Sequence, residues 1–392
     1  MAVPVQLPLE QPGPLLPAPA LRGLQNRGPI HRIRTAVGGE GWFVTGHEEV
    51  RKLLSDPRLG RAHPDPGNAA RTGESVLFGR PLGNYDTEHA DHARMRGLLQ
   101  PHFTPKLMRA LVPRVEALAA DLLDQLAREP APADLHQALA LPLPILVICE
   151  LLGVPYEDRE RFRTWTQAAA NVRDGALSLQ GIGDLYEYGR HLVARKRSQP
   201  EDDVISRLCA TEGVPDEEIA KLSMVLLFSG YETTVVMIGM GALLLLAHPH
   251  EWQALAADNS LIPAAVEEIL RTADKGGVGG IPRYAKTDLR IGDDTVRTGE
   301  LVVLSTGAAN HDGTVFPNPD EFDVTRPAAT QLSFGHGGHY CIGAPLARIE
   351  LYALFSQLIT AFPTMRLAVP VEELKIRTDV LTGGLIELPV AW

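Results

Sequence analysis

Apolar residues recur at helical spacing along most of the chain between residues 91 and 323. Repeats at i, i+3, i+4 and i+7 are typical of helices that bury one face. The pattern predicts five helices in this region and a sixth near the end of the chain: residues 109–127, 143–154, 156–170, 185–197, 262–273 and 344–362. It therefore indicates a mainly α-helical protein.

Alternating apolar and polar residues predict short strands at the edges of the helical region, over residues 31–35, 41–45 and 281–305. A short helix is expected to end at Asp56-Pro57, and residues 374–392 predict a hairpin around Gly383-Gly384. Residues 60–85 form a long predicted loop, of a length that is usually functional. Because neither a repeat nor a linker divides the sequence, we predict one domain over residues 1–392, with an extended lead-in over residues 1–20.

The most apolar stretch, residues 222–247, is long enough to cross a membrane. However, Ser229, Glu232, Thr233 and Thr234 lie in its middle. A carboxylate at the centre of a bilayer costs at least ~2.5 kcal/mol. A helix that is apolar on all sides can also form the buried centre of a large water-soluble protein. We favour the buried helix over the membrane span.

Composition narrows the class of protein. The chain has 392 residues, of which 45% are hydrophobic and 22% charged, as in soluble globular proteins. Its formal net charge of -11 argues against general binding of nucleic acid. Three scattered cysteines do not make a disulfide framework, and the proline-rich start does not resemble a signal peptide. A cytoplasmic protein is expected.

Cys341 lies in the segment FGHGGHYCIG, between glycines and histidines. A helical pattern with Pro345 in its first turn follows, so helix amides should favour the thiolate. Glycines allow the main chain to approach a ligand closely, and a thiolate held in this way suits the iron of a haem. An ordinary buried cysteine is about equally compatible with the composition. A zinc site with His336 and His339 and a nucleophilic thiol are weaker alternatives.

Polar residues inside the apolar stretch form a second candidate site. Ser229 and Thr233 share one helix face, and Ser229 with Gly230 would leave a notch beside Glu232. A buried carboxylate beside a hydroxyl is costly unless the pair binds water or transfers protons. The alternative is a threonine that donates to a carbonyl oxygen one turn earlier.

Other charged residues are individually weak signals. Glu268 and Arg271 are three residues apart and can form an ion pair, as many surface residues do. His92 and Arg96 lie on one helical face and could bind one anion, as could Arg283. Each alone is more typical of a solvated surface.

Taken together, these residues resemble the soluble bacterial cytochromes P450, and the likeness extends over nearly the whole chain. Phe-Gly-x-Gly-x-His-x-Cys-x-Gly matches the haem-binding signature of that family without a gap. The resemblance implies the cytochrome P450 fold, a triangular helical prism that encloses haem b, with small β-sheets. It also implies that Cys341 is the fifth iron ligand, with Phe334 and Gly343 beside the porphyrin.

The resemblance gives the other residues roles as well. Glu232 and Thr233 match the acid–alcohol pair above the iron, whereas Ser229 departs from the alanine that is usual there. The residues that match positions binding the haem propionates are His92, Arg96, Arg283 and His339. Those that match a buried ion network are Glu268, Arg271 and Arg326.

By the same resemblance, the protein is a monooxygenase of the actinobacterial natural-product tailoring type. It would use dioxygen and two external electrons to hydroxylate or otherwise oxidise a lipophilic secondary metabolite. The substrate would be a terpenoid, a polyketide or a cyclic peptide. Oxidative coupling or cyclisation without oxygen insertion is the alternative, and a non-enzymatic haem sensor is disfavoured by the acid–alcohol pair.

By their positions, several segments are expected to surround the substrate: Leu77, Phe78, Asn84, Val225, Phe228, Ser229, Gly279, Ile281, Leu381 and Thr382. The glycine run at residues 276–280 suggests a roomy pocket or a flexible wall. Electrons must come from a ferredoxin and its reductase, because the chain has neither a flavin fingerprint nor an iron–sulfur cysteine set. Arg94, Lys106, Arg109 and Arg348 could receive an acidic ferredoxin. We expect a monomer.

Overall fold

The longest helix of the protein runs through its largest hydrophobic cluster. This architecture comes from a computed structural model, which describes residues 4–15, 17–273, 279–327 and 330–392. In the described residues the α-helices are α1 (Pro19–Gln25), α2 (His47–Leu54), α3 (Glu88–Leu99), α4 (Pro105–Leu126), α5 (Pro142–Leu152), α6 (Arg159–Ala169), α7 (Gly175–Ser198), α8 (Val204–Cys209), α9 (Asp216–Ala247), α10 (Pro249–Ala257), α11 (Ile262–Thr272), α12 (Thr306–Asn310) and α13 (Ala344–Ala361). A π-helical turn at His136–Ala140 precedes α5.

The strands are short, from two to five residues each. They are β1 (Val5–Gln6), β2 (Ile30–Arg34), β3 (Glu40–Val44), β4 (Leu59–Gly60), β5 (Ala133–Asp134), β6 (Ile281–Ala285), β7 (Leu289–Ile291), β8 (Asp294–Val296), β9 (Leu301–Leu304), β10 (Arg366–Leu367) and β11 (Pro389–Ala391). One sheet has the order β1-β2-β3-β9-β6-β4, a second has the order β10-β11-β5, and β7 pairs with β8.

Local sequence explains where the main helices begin and end. Asp174 caps α7 by accepting hydrogen bonds from the amides of Ala176 and Leu177, at 2.9 and 3.0 Å. Three acidic residues fill the first turn of α9, where the helix dipole favours negative charge. That helix ends at Ala247, just before Pro249. Gly153, with φ of 69°, ends α5 in the left-handed conformation.

Helix α9 packs against α5, α7, α11 and α13. Gly241 permits close approach at one crossing, because a Cβ there would lie 2.8 Å from Ile269 and 2.9 Å from Phe355. The helix is long and apolar enough to cross a membrane, but 78% of its most apolar window is buried inside the protein. The sequence-based preference for a buried helix agrees with this placement. The C-terminal half of α9 is therefore core.

The predicted helices and the strands at residues 31–35 and 41–45 are present, most of them within a few residues of the expected boundaries, but α7 begins ten residues before the predicted residue 185 and α9 six residues before the predicted residue 222. Residues 61–87 contain neither a helix nor a strand, as the predicted loop requires. The C-terminal hairpin is the main difference. Around Gly383-Gly384 only one bridge forms, between Ile376 and Leu385, because β11 pairs instead with β10 and β5.

Candidate active site

A cavity of about 1090 Å³ lies between α9, α13 and the six-stranded sheet. Most of the side chains that line it are apolar, and they come from segments far apart in sequence. Ser229, Thr233 and Cys341 all face this cavity. The hydroxyls and the thiol that the sequence singles out are therefore brought together on one cavity.

Cys341 lies three residues before α13. Its amide donates to the carbonyl oxygen of Phe334 at 2.9 Å, which closes the loop between them. Gly335 and Gly337 adopt φ values of 73° and 71°, which favour glycine. Burial raises the pKa of the Cys341 thiol, and hydrogen bonds from the Gly343 and Ala344 amides lower it by less. The predicted thiolate-favouring effect of the helix start is thus present, but burial outweighs it in the protein alone.

A cluster of basic side chains borders the same cavity. The rings of His92 and His339 stack with centroids 3.8 Å apart, and Arg283 is almost fully buried. Burial, with the nearby charge of Arg61, lowers the pKa of Arg283 to about 10. Burial, with nearby His92, lowers the pKa of His339 to about 3. The buried charge of Arg283 and that of the neighbouring Arg61 are costly unless an anion neutralises them.

Within the described residues, no carboxylate forms an ion pair with the members of this basic cluster, which are Arg61, His92, Arg96, Arg283 and His339. The nearby Glu88 is engaged elsewhere. It pairs with Lys286 at 2.6 Å and accepts hydrogen bonds from the amides of Arg61 and Ala62. The Arg96 guanidinium donates to the carbonyl oxygen of Tyr340 at 2.6 Å. The cluster therefore fits an anionic ligand placed beside Cys341.

Three residues form an exposed stripe in the mostly buried middle of α9: Val225, Ser229 and Thr233. The Ser229 hydroxyl donates to the carbonyl oxygen of Val225 at 2.7 Å, and Thr233 donates to that of Ser229 at 3.0 Å. Gly230 lies against Ile148 of α5, where a Cβ would be only 2.7 Å from its Cδ1. The notch expected at Ser229-Gly230 is thus occupied on the Gly230 side by Ile148.

Glu232 is buried and does not itself line the cavity, although Arg377 beside it does. Only 2% of its surface is exposed, and its Oε1 has no hydrogen-bond partner. The nearest cation is Arg377, whose Nη1 lies 3.8 Å from Oε1. Burial raises the pKa of Glu232, and the charge of Arg377 opposes the rise. Glu232 and Thr233 are thus neighbours in sequence with different surroundings.

Known proteins resemble this chain along its whole length. The family model described as Cytochrome P450 matches residues 187–366. Pentalenolactone synthase of Streptomyces exfoliatus is 45% identical over 395 residues, with 99% of both chains covered. The chain belongs to the cytochrome P450 family. As in that family, its cofactor is haem b and its activity is that of a monooxygenase.

Solved cytochrome P450 structures confirm the fold. SgvP, described as a putative thioether synthase in a tailoring step of griseoviridin, superimposes with a TM-score of 0.92 at 34% identity over 100% of both chains. PimD, an epoxidase of the polyene macrolide pimaricin, gives a TM-score of 0.89 at 39% identity, again over 100% of both chains. Mycinamicin IV hydroxylase/epoxidase of Micromonospora griseorubida is 38% identical, with 94% of each chain covered.

The site of this P450 chain fits haem by its own chemistry. A single thiol faces the cavity from a glycine-rich loop, and a basic cluster without a carboxylate partner lies beside it. Thiolate is a haem ligand, and guanidinium groups bind carboxylates such as the propionates. In the described residues no group of three His, Cys, Asp or Glu could hold a metal ion, so the zinc alternative has no support.

Glu268, Arg271 and Arg326 lie in one ion network below the site. Arg271 donates from Nε and Nη2 to the two oxygens of Glu268, both at 2.7 Å, and Arg326 Nε lies 3.0 Å from Oε1. Arg271 also donates to the carbonyl oxygens of Asn310, Pro319 and Glu321. This hydrogen bonding fixes the chain that leads to the Cys341 loop.

Of the predicted substrate-pocket residues, six line the cavity: Phe78, Ser229, Gly279, Ile281, Leu381 and Thr382. Four do not line it: Leu77, Asn84, Val225 and Phe228. Phe228 packs against the main helical cluster, and Asn84 lies in the turn before α3, where its side chain accepts from the Asp86 amide at 2.9 Å. The Leu77 carbonyl oxygen accepts from Arg61 at 3.0 Å. Residues 276–278 of the glycine run lie outside the described residues.

Several residues of the cavity wall were not anticipated from the sequence. The N-terminal segment supplies Leu7, Pro8 and Leu9, and the tail supplies Arg377. Glu350 of α13 also lines the cavity, fully buried and with Oε2 unpartnered. Burial raises the pKa of Glu350 well above its usual range. Only its position on the apolar side of the predicted helix could have identified Glu350.

Proposed function

We propose that this cytochrome P450 oxidises a lipophilic secondary metabolite, with Cys341 as the ligand of the haem iron. The observation that carries the proposal is the placement of the Cys341 thiol and the Thr233 hydroxyl on the same largely apolar cavity. Apolar lining suits a lipophilic substrate, because burial of its surface supplies the binding free energy. When bound, haem b supplies the activation of dioxygen with two external electrons.

The basic cluster would hold the cofactor by its propionates. Arg283 and His339 lose hydration in the protein, so an anion beside them gains strong charge-assisted hydrogen bonds. Arg61 belongs to the same cluster, although the sequence analysis did not identify it as a candidate. Its guanidinium also lies 5.2 Å from the ring centroid of Phe78, which lines the cavity. Arg61 therefore connects the anion site to the loop that borders the substrate.

Thr233 is the residue that we assign to proton transfer within the cavity, with Glu232 behind it. The Thr233 oxygen can accept a hydrogen bond from a group in the cavity while its own proton is donated to the helix. Because burial raises the pKa of Glu232, that carboxyl can hold a proton and release it. The two residues would thus deliver protons from the interior to the reaction site.

The relatives support the type of substrate. Those named above include a pentalenolactone synthase and enzymes that act on mycinamicin and pimaricin. We infer that this chain also tailors a natural product in the cytoplasm, with electrons from a ferredoxin and its reductase. Of the four basic residues considered for docking, Arg94 and Arg348 pair with Glu218 and Glu267. Lys106 and Arg109 are exposed, and we assign the docking role to them first.

The spectrum of the reduced, carbon-monoxide-bound protein tests the proposal. We expect the red-shifted Soret band of thiolate-ligated haem, and its loss in Cys341→Ser. Cys209→Ser is the matched control, since Cys209 lies in α8 and does not line the cavity. A protein that shows the same spectrum with and without Cys341 contradicts the assignment. Turnover under labelled dioxygen then separates oxygen insertion from coupling, because only insertion labels the product.

A further inference from the structure

Two arginines lie on the cavity wall where the loop between α6 and α7 meets the C-terminal tail. They are Arg173 and Arg377. Asn171 forms an antiparallel bridge with Val380, and the Val172 amide donates to the carbonyl oxygen of Asp379 at 2.9 Å. This register places Arg173 opposite Thr378, next in sequence to Arg377. The two guanidinium groups therefore belong to one small patch of the wall.

The Arg377 guanidinium has unused donors. Only 22% of the side chain is exposed, yet within the described residues it makes no side-chain hydrogen bond. Its nearest carboxylate oxygens are those of Glu232, at 3.8 Å, and of the half-exposed Asp379, at 3.9 Å. Both distances exceed that of a hydrogen bond. A partly buried arginine that is only loosely paired, and that makes no side-chain hydrogen bond in the described residues, is well suited to bind a planar anion.

Arg173 also retains donors. Its Nη2 donates to the Thr378 hydroxyl at 2.7 Å, and within the described part of the chain it has no carboxylate partner. The remaining guanidinium nitrogens of Arg173 are available to a ligand in the cavity. Two guanidinium groups that share one patch can bind a carboxylate more tightly than either does alone.

The carboxyl groups of the cavity wall do not neutralise this patch. Glu74 pairs with Arg71 at 3.1 Å and with Arg80 at 3.7 Å. Glu350 is fully buried, and burial raises its pKa, which favours its neutral form. The wall therefore has two arginines at this patch, of which Arg377 is loosely paired with Glu232 and Asp379, while most of its other side chains are apolar.

We propose that the substrate is a lipophilic carboxylic acid whose carboxylate binds Arg377 and Arg173. This inference rests on the proposed function and names the substrate class of the same site. The carboxylate stays at the patch where the α6–α7 loop meets the tail, and the hydrocarbon part extends over the apolar wall toward Thr233. The charge at one end thereby selects which end of the molecule faces the oxidising centre.

Matched acids and esters test the proposal on the haem-loaded enzyme. The probes are dodecanoic acid, farnesoic acid and abietic acid, each with its methyl ester. Binding is measured by the haem spin-state change and, independently, by equilibrium dialysis. We expect at least one acid to bind about 10- to 100-fold more tightly than its ester, as for a hydrogen bond to a charged group. Arg377→Gln and Arg173→Gln should each reduce that ratio and leave binding of the ester little changed.

Two further variants provide the controls. Arg377→Lys keeps the charge and should retain part of the preference, whereas Arg366→Gln alters an exposed arginine of β10 that does not line the cavity. Equal binding of acids and esters, no binding by any acid, or an acid preference that survives in both glutamine variants overturns the inference. The carbon-monoxide spectrum is read on the same samples, so that failure of haem ligation is distinguished from failure of acid recognition.

Discussion

Thr233 donates its hydroxyl hydrogen to the carbonyl oxygen of Ser229, 3.0 Å away and one turn earlier in α9. The bond fixes the side-chain rotamer and leaves the lone pairs of the Thr233 oxygen for the cavity. A back-bonded threonine and a proton-relay threonine were alternative interpretations of the sequence. In the structure the two are compatible, because the hydrogen bond to the Ser229 carbonyl leaves the Thr233 oxygen free to accept a hydrogen bond from a group in the cavity.

Replacement of Thr233 tests its role in proton transfer. We expect Thr233→Ala to consume electrons while forming less product and releasing hydrogen peroxide, with product formation falling about 100-fold, the lower range for general acid catalysis. Thr233→Ser keeps the hydroxyl and should retain most of the coupling. The measurement is product and peroxide per pair of electrons. Unchanged coupling in the alanine variant would remove the relay role.

Arg283 should determine how firmly the cofactor is held. Its guanidinium is buried, and burial lowers its pKa to about 10, so it needs an anionic partner. Arg283→Gln is expected to accelerate haem transfer to apomyoglobin by about 10-fold or more, the loss of one charge-assisted hydrogen bond. Arg51→Gln, at an exposed position of α2, is the control. Equal transfer rates in the two variants would refute the role of Arg283.

Glu350 predicts a specific dependence of stability on pH. Burial raises the pKa of this carboxyl in the folded state, so the folded protein keeps the proton that the unfolded chain loses above pH ~4.3. The stability of the wild type therefore falls as pH rises above that value, by up to about 1.4 kcal/mol per pH unit. Glu350→Gln lacks this loss.

Urea unfolding at two pH values measures the effect. We expect Glu350→Gln to be more stable than the wild type at pH ~7.5 and about equal to it at pH ~4, where both states of the wild type are protonated. The variant is the more stable protein at the higher pH because burial opposes ionisation of Glu350 in the folded state only. A stability difference that is the same at both pH values contradicts the assignment.

The ion pair between the buried Lys196 and Asp203 tests how much a buried pair adds to stability. The neighbouring residue Asp202, which is exposed, provides a control. Lys196 Nζ lies 2.7 Å from Asp203 Oδ2, with both side chains buried, and also pairs with Glu201. Asp203→Asn keeps the cap of α8 but leaves the cation short of its buried partner, at a cost of about 3–5 kcal/mol.

Asp202→Asn is the matched control. The Asp202 side chain is fully exposed and pairs with Arg207 at 2.6 Å, so its loss should cost about 1 kcal/mol or less. Urea midpoints of the two variants measure the difference. Similar destabilisation by both substitutions would show that the buried pair adds little to the free energy of unfolding.

Periodicity predicted most helices because each buries one face, and the glycine- and proline-rich composition predicted a loop over residues 60–85, close to the stretch 61–87 that has neither helix nor strand. The C-terminal hairpin could not be predicted from local pattern, since β11 pairs with β10 and with β5, which lies more than 250 residues earlier. The structure of that segment depends on pairing with strands that are distant in sequence. The same limitation applies to every element whose partner is distant in sequence.

The residues of the candidate site also fall into those that a local motif indicates and those that only tertiary contacts bring together. Cys341 and Thr233, which both line the cavity, were candidates from the sequence because each lies in a compact motif with unusual neighbours. Arg377 and Arg173 were missed because they meet only through the bridge between Asn171 and Val380. Arg61 was missed because nothing around it in the sequence distinguishes a buried arginine from a solvated one.

The N-terminal segment carries a practical consequence for handling this enzyme. Leu7, Pro8 and Leu9 form part of the cavity wall, and Leu7 lies within 4 Å of where a side chain on Gly279 would project. An affinity tag fused at that end, or trimming to remove a proline-rich stretch that looks dispensable, alters the chamber in which the substrate is oriented. Substrate profiles recorded on such material should be compared with those of protein tagged after Trp392.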